Sequence, residues 1–105
     1  MEAEPRGTIG FSVEGPIRRD DLPGLGARVC ALLTEGRPEI AFCEVSTVEP
    51  DAVTVEALSR LQLAARRVGC TVYLENASHD LLLLVAFMGL ADVLPTTSSS
   101  DRAKD

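Results

Sequence analysis

The chain has no tryptophan, one histidine and four aromatic residues in all, three Phe and one Tyr. A core without stacked rings must be aliphatic. Leu, Val, Ile and Ala supply it, since hydrophobic residues make up 46% of the 105. That fraction excludes intrinsic disorder for the body of the chain. A domain this small has a narrow margin of stability, which favours a simple layered fold with a single core. A lone histidine, His79, gives acid–base or nucleophilic catalysis little to work with. No nucleophile elbow, Walker loop, glycine-rich dinucleotide turn or HExxH occurs.

Basic runs are missing as well. Arginines come in pairs at most, Arg18-Arg19 and Arg66-Arg67, and the formal net charge is −6. Nucleic acid needs a basic face to neutralise phosphate, and an anionic membrane surface needs the same. Both are excluded as expected partners. The longest apolar run, Leu81 to Phe87, is far too short to span a bilayer. The opening MEAEPRG has neither the basic nor the apolar region of a secretory leader. Cys30, Cys43 and Cys70 are odd in number, follow no metal-ligand spacing and have apolar neighbours. They read as buried thiols in a reducing compartment, so a cytoplasmic protein without metal or cofactor is expected.

The residues present alternate between two periods. Thr8 to Val13 puts Ile9, Phe11 and Val13 on one face, as a strand does. Gly15-Pro16 ends it. Asp20 or Asp21 caps a helix with Pro23 in its first turn, running to about Glu35 before the stop at Gly36. Leu22, Leu25, Val29, Leu32 and Leu33 recur at helical spacing. Glu39 to Val45 is short and largely apolar, which predicts a strand buried on both faces. Asp51 is an N-cap for a helix to Val68, closed by Gly69, with Val55, Leu58, Leu61, Ala65 and Val68 inward. Thr71 to Leu74 predicts a third strand. Ser78 caps a third helix, Leu81 to Met88, stopped by Gly89. Residues 1–7 read as a flexible start, 8–95 as one domain, and 96–105 as a disordered polar tail. Strand–helix alternation with short connections implies an α/β fold: a single, mixed but mainly parallel sheet with helices packed on it.

Chemistry-bearing candidates are few. Gly24-Leu-Gly26 falls inside a helix and makes no phosphate cradle. Asp20-Asp21 and Glu49/Asp51 are read as caps and solvated acids, since acids favour helix N-termini. Asp51 has a second reading, because it lies after a strand and before a helix, at the carboxyl edge where open α/β sheets bind partners. The third helix differs from the others. Leu81 through Met88 leave it no polar face, although a helix on a sheet keeps one side in water. With Leu81, Leu84, Val85 and Met88 toward the sheet, Leu82, Leu83 and Ala86 form an apolar patch for a partner or a second copy to cover.

From Gly15 to Leu94, three-quarters of the chain, the order of short motifs resembles the STAS domain of bacterial anti-sigma factor antagonists. Gly15-Pro-Ile17 followed by Leu22-Pro-Gly-Leu25 resembles that family's Gly-x-Leu turn and Ala-Pro-x-Leu helix start. Cys43-Glu-Val-Ser46 resembles its hydrophobic-Asp-Leu-Ser strand. Asp51-Ala-Val-Thr-Val55 stands where the signature Asp-Ser-Ser-Gly-Leu opens the second helix, and Gly69-Cys70 where a Gly-Gly pair follows. Met88-Gly-Leu-Ala-Asp-Val-Leu94 resembles the closing Thr-Gly-Leu-Asp-x-Leu.

The resemblance implies a non-enzymatic regulatory module that binds an anti-sigma factor or related kinase through Asp51, Ala52, Val53, Thr54, Glu56 and Arg60. It also implies a phosphate acceptor at the position of the second signature Ser. Here that position is Val53, which has no hydroxyl; Ala52 replaces the first Ser and Thr54 the Gly, leaving Thr54 either as a displaced acceptor or, as is commoner in a first helical turn, as a local hydrogen-bonding residue. The family usually has an extra strand before Thr8, where only a few polar residues stand in this sequence. Two alternatives stand beside this reading. One is a cytoplasmic STAS subunit of a lipid-transport ATP-binding cassette complex, held against its ATPase. The other is a small-ligand sensor using the sheet edge.

Overall fold

Period-two and period-3.6 segments fold as their patterns predict. The computed structural model describes residues 7–97. They form β1 (Thr8–Ser12), α1 (Leu22–Gly36), β2 (Ile40–Glu44), α2 (Ala52–Arg67), β3 (Thr71–Glu75) and α3 (His79–Phe87), with a 3-10 turn at Arg19–Asp21 before α1. The residues before 7 and after 97, most of the predicted flexible start and polar tail, lie outside the described residues.

The strands are parallel in the order β1-β2-β3. Consecutive parallel strands joined by right-handed crossovers bring their helices to one face of the sheet. Burial follows that rule. Val13, Ala41, Cys43, Val45, Val72 and Leu74 are buried under the helices, and Ile9 and Phe11 pack against them from the rim. The alternate residues are not covered in this way. Ile40, Phe42 and Tyr73 are half-buried on the other face, where the Phe42 and Tyr73 rings sit 6.2 Å apart. The expectation that β2 is buried on both faces is therefore corrected: its helices all lie on one side.

Cap chemistry sets most helix ends; Asp21, expected to cap α1, makes no side-chain cap there and accepts from Arg18 N instead. Asp51 accepts from Thr54 N at 2.9 Å and Ser78 Oγ from Leu81 N at 3.1 Å. Gly69 and Gly89 take the left-handed turns after α2 and α3. At α1 the expected stop moves by one residue. Gly36 remains helical, and Arg37 adopts the left-handed conformation at φ 50°, its N–H donating to Leu33 O. Three predicted inward residues turn outward: Leu32, Val68 and Met88 are 45%, 43% and 39% exposed. Each lies at the margin of its helix's apolar arc, where a small sheet no longer reaches. Cys30, expected to be buried, is exposed on α1 for the same reason, whereas Cys43 and Cys70 are buried.

The edge of β3 is closed. Thr71 N donates to Glu39 O, and Glu75 O accepts from Val45 N, so the peptide groups of Val72 and Leu74 point away from β2. Leu74 is met by the segment after α3, with its N–H on Pro95 O and its carbonyl accepting from Thr97 N, both at 2.9 Å. Thr96 and Thr97, expected in the disordered tail, are thus paired with β3. Val72 is met by a side chain: its N–H donates to Gln62 Oε1 at 2.8 Å and its carbonyl accepts from Gln62 Nε2 at 2.9 Å.

Candidate functional site

Three loops follow the carboxyl ends of the strands and gather at one edge. The first, after β1, packs into the second. A β-carbon on Gly15 would lie 2.9 Å from Val48 Cα and 3.1 Å from Glu49 N, so only glycine permits this approach. The second loop leads to Asp51 and the start of α2. The third carries Asn76 in the left-handed region at φ 59°. Its Nδ2 donates to Glu44 Oε2 at 2.9 Å, while Ser46 N and Oγ donate to Glu44 Oε1 at 3.2 and 3.0 Å. Glu44 thereby ties the second and third loops together. The Asn76 amide, followed by the two Ser46 donors, holds its carboxyl below the usual glutamate range.

The first turns of α2 present the predicted site residues in sequence. Asp51 and Ala52 are exposed and Val53 is half-buried. Thr54 is 0% exposed, and its hydroxyl has no hydrogen-bond partner among the described residues. Helical rotation explains the difference: Thr54 stands one turn before Leu58 and two before Leu61 and shares their inward side. The hydroxyl of Thr54, the position of the displaced acceptor, is thus turned into the core. Glu56 and Arg60 face outward one turn apart, and Arg60 Nη2 meets Glu56 Oε2 at 2.8 Å. Arg19, from the turn before α1, meets the other oxygen, Glu56 Oε1, at 2.8 Å. The Arg19 hydrogen bond is the main cause that keeps the Glu56 carboxyl below its ordinary range. Sequence reading missed Arg19, which is 37 residues from Glu56 along the chain and carries no local signal for the pairing.

α3 presents the apolar patch. Leu81 and Val85 are buried, whereas Leu82 and Leu83 are 38% and 55% exposed and Ala86 is exposed too. Phe87 is 87% exposed and belongs to the same surface. Its position four residues after Leu83 was the signal for it. His79, at the helix start, borders a hollow of about 300 Å³ with Leu82 and Asn76. Another, of about 280 Å³, lies between the first loop and α1. Among the described residues no group of His, Cys, Asp or Glu could hold a metal ion, and no helix is long and apolar enough to cross a membrane.

No family model and no curated protein matches the sequence. Solved structures do match the fold. The anti-sigma factor antagonist SpoIIAA in its unphosphorylated form superposes with a TM-score of 0.64 over 97% of this chain and 90% of its own, at 14% identity. A sulfate transporter family protein from Wolinella succinogenes superposes with a TM-score of 0.62 over 89% of this chain and 75% of its own, at 21% identity. With parallel strands in one sheet, helices on one face and this degree of superposition, the chain has a STAS-like fold.

Proposed function

We propose that this chain is a non-enzymatic protein-binding module of the anti-sigma factor antagonist type, engaging an anti-sigma factor or related kinase through the carboxyl edge of its sheet. The observation that carries the reading is the surface at the start of α2. Asp51, Ala52 and Val53 are presented there on a helix N-terminus, with Glu56 one turn on, Arg60 two turns on, and Arg19 locking the neighbouring loop to them. A phosphate at this turn would add about two negative charges beside Asp51. Val53 offers no oxygen to carry it, so at that position the edge stays in one electrostatic state, and binding is constitutive or controlled by another input.

A second reading rests on α3. Leu83 and Phe87 expose more apolar surface than a solitary soluble helix needs, and permanent interfaces are the more apolar ones. A subunit held against a transporter ATPase would cover them.

Affinity capture with tagged protein distinguishes the two. The first reading expects an anti-sigma factor or kinase-like ATPase on the wild-type chain, lost with Val53→Glu and retained with Leu83→Glu/Phe87→Glu. The opposite pattern, with a transporter ATPase lost only from the α3 variant, establishes the second and overturns the first.

A further inference from the structure

The two edges of the sheet are treated differently. β3 is closed by Gln62 and residues 95–97, as described above. At β1, Gly7 O accepts from Glu39 N and Val13 N donates to Glu44 O, so the odd-numbered residues bond to β2. The peptide groups of Thr8, Gly10 and Ser12 therefore face outward, and no described residue meets them. Proteins guard such an edge with charge, proline or a bulge. The strand TIGFS has none of these.

We propose that β1 pairs antiparallel with β1 of a second copy, about a two-fold axis at Gly10, to give one continuous six-stranded sheet. The strand is complementary to itself in this register. Thr8 faces Ser12 of the second copy, and Gly10 faces its counterpart. About six backbone hydrogen bonds satisfy the outward groups. On the helix side Ile9 meets Phe11 of the second copy, and the two form a cross-strand apolar pair. Both are only half-buried in a single chain because they stand at the rim of the layer.

The neighbouring helix supports a copy of this chain as the occupant. α1 turns Leu33, Thr34 and Arg37 toward the end of α2, with which they line a cleft. At about 3.6 residues per turn, Leu32 lies on the opposite flank, above β1, and is 45% exposed. Arg28 and Glu35 lie on that flank on either side of it, and neither forms an ion pair among the described residues. A two-fold axis beside Leu32 sets each Arg28 opposite Glu35 of the other copy. The interface is then apolar at Ile9, Phe11 and Leu32 and matched in charge at its border. It is separate from the carboxyl edge and from the α3 patch, so it stands whichever partner the preceding reading meets.

Sedimentation velocity of the full chain over a dilution series tests this. A dimer is expected, weakened about tenfold or more by Arg28→Glu and restored by Arg28→Glu/Glu35→Arg. Gly10→Pro removes only an outward N–H, and is expected to give a monomer that still unfolds in one cooperative thermal transition, without the concentration dependence of the dimer. Should that variant fail to fold, the charge exchange decides. A wild-type chain that stays monomeric at every concentration overturns the proposal. So does a dimer indifferent to Arg28→Glu, or one that dissociates only with Leu83→Glu/Phe87→Glu.

Discussion

The side chain of Gln62 meets both peptide groups of Val72, at 2.8 and 2.9 Å, and so stands in for a strand that is not there. Its Nε2 also donates to Val93 O at 2.8 Å, which fastens the segment after α3. Gln62 is 0% exposed, so water cannot replace these bonds. Gln62→Leu leaves one donor and two acceptors unpaired in the core, each costing about 1–3 kcal/mol with partial relaxation between them. A loss of roughly 2–4 kcal/mol in urea denaturation is expected. A loss under about 1 kcal/mol would mean that the edge of β3 is held by residues 95–97 alone.

Thr54 presents the reverse situation, a buried hydroxyl without a partner. Thr54→Val removes the uncompensated group and keeps the branched shape. The variant is expected to be more stable by about 1 kcal/mol. A clear loss of stability would show that the hydroxyl is satisfied in solution.

The three thiols should separate by reactivity. Burial, reinforced by the negative charges of Glu44 and Glu75, pushes the Cys43 thiol up to about 12, so almost no thiolate exists at neutral pH. Cys70 is buried and Cys30 exposed. Thiol titration of the native protein at pH 8 is expected to modify Cys30 quickly and the others only after denaturant is added. Rapid native labelling of Cys43, located by peptide mapping, would contradict the burial.

Glu44 gives the fold a pH dependence of known sign. Its folded carboxyl lies below the ordinary value of 4.5 because Asn76 and Ser46 donate to it. A depressed carboxyl adds stability that is present above the unfolded value and is lost as pH falls through the folded one. Asn76→Gly removes the donor while allowing the left-handed backbone. Carboxyl NMR titration is expected to show Glu44 moving up toward 4.5 in that variant, with less acid destabilisation below it. An unchanged Glu44 titration would assign the depression to Ser46 alone.

Much of the fold was legible because α2 and α3 carry their own punctuation. Asp51 and Ser78 are caps whose side chains accept from the third residue on, and such local hydrogen bonds depend on few neighbours. The misjudged residues sit where neighbours decide. Leu32, Val68 and Met88 match helical spacing, but spacing does not say how wide an arc a three-stranded sheet covers. Gln62 interrupts the apolar stripe of α2 and reads as a solvated residue until β3 is placed beside it. At the candidate site, Asp51 to Val53 could be found from position alone. Arg19 could not, because its partner Glu56 is brought to it only by the packing of the turn before α1 against α2.

The order of strands and helices, the helix starts and the aliphatic core were determined by the sequence, since periodicity and capping act over a few residues. Tertiary structure decided which face of the sheet the helices share, which marginal leucines stay in water, and how each edge is finished. The hand of the crossovers sets the first of these and the width of the sheet sets the second. The third depends on backbone groups, which every residue carries alike and whose partners no side-chain pattern reveals.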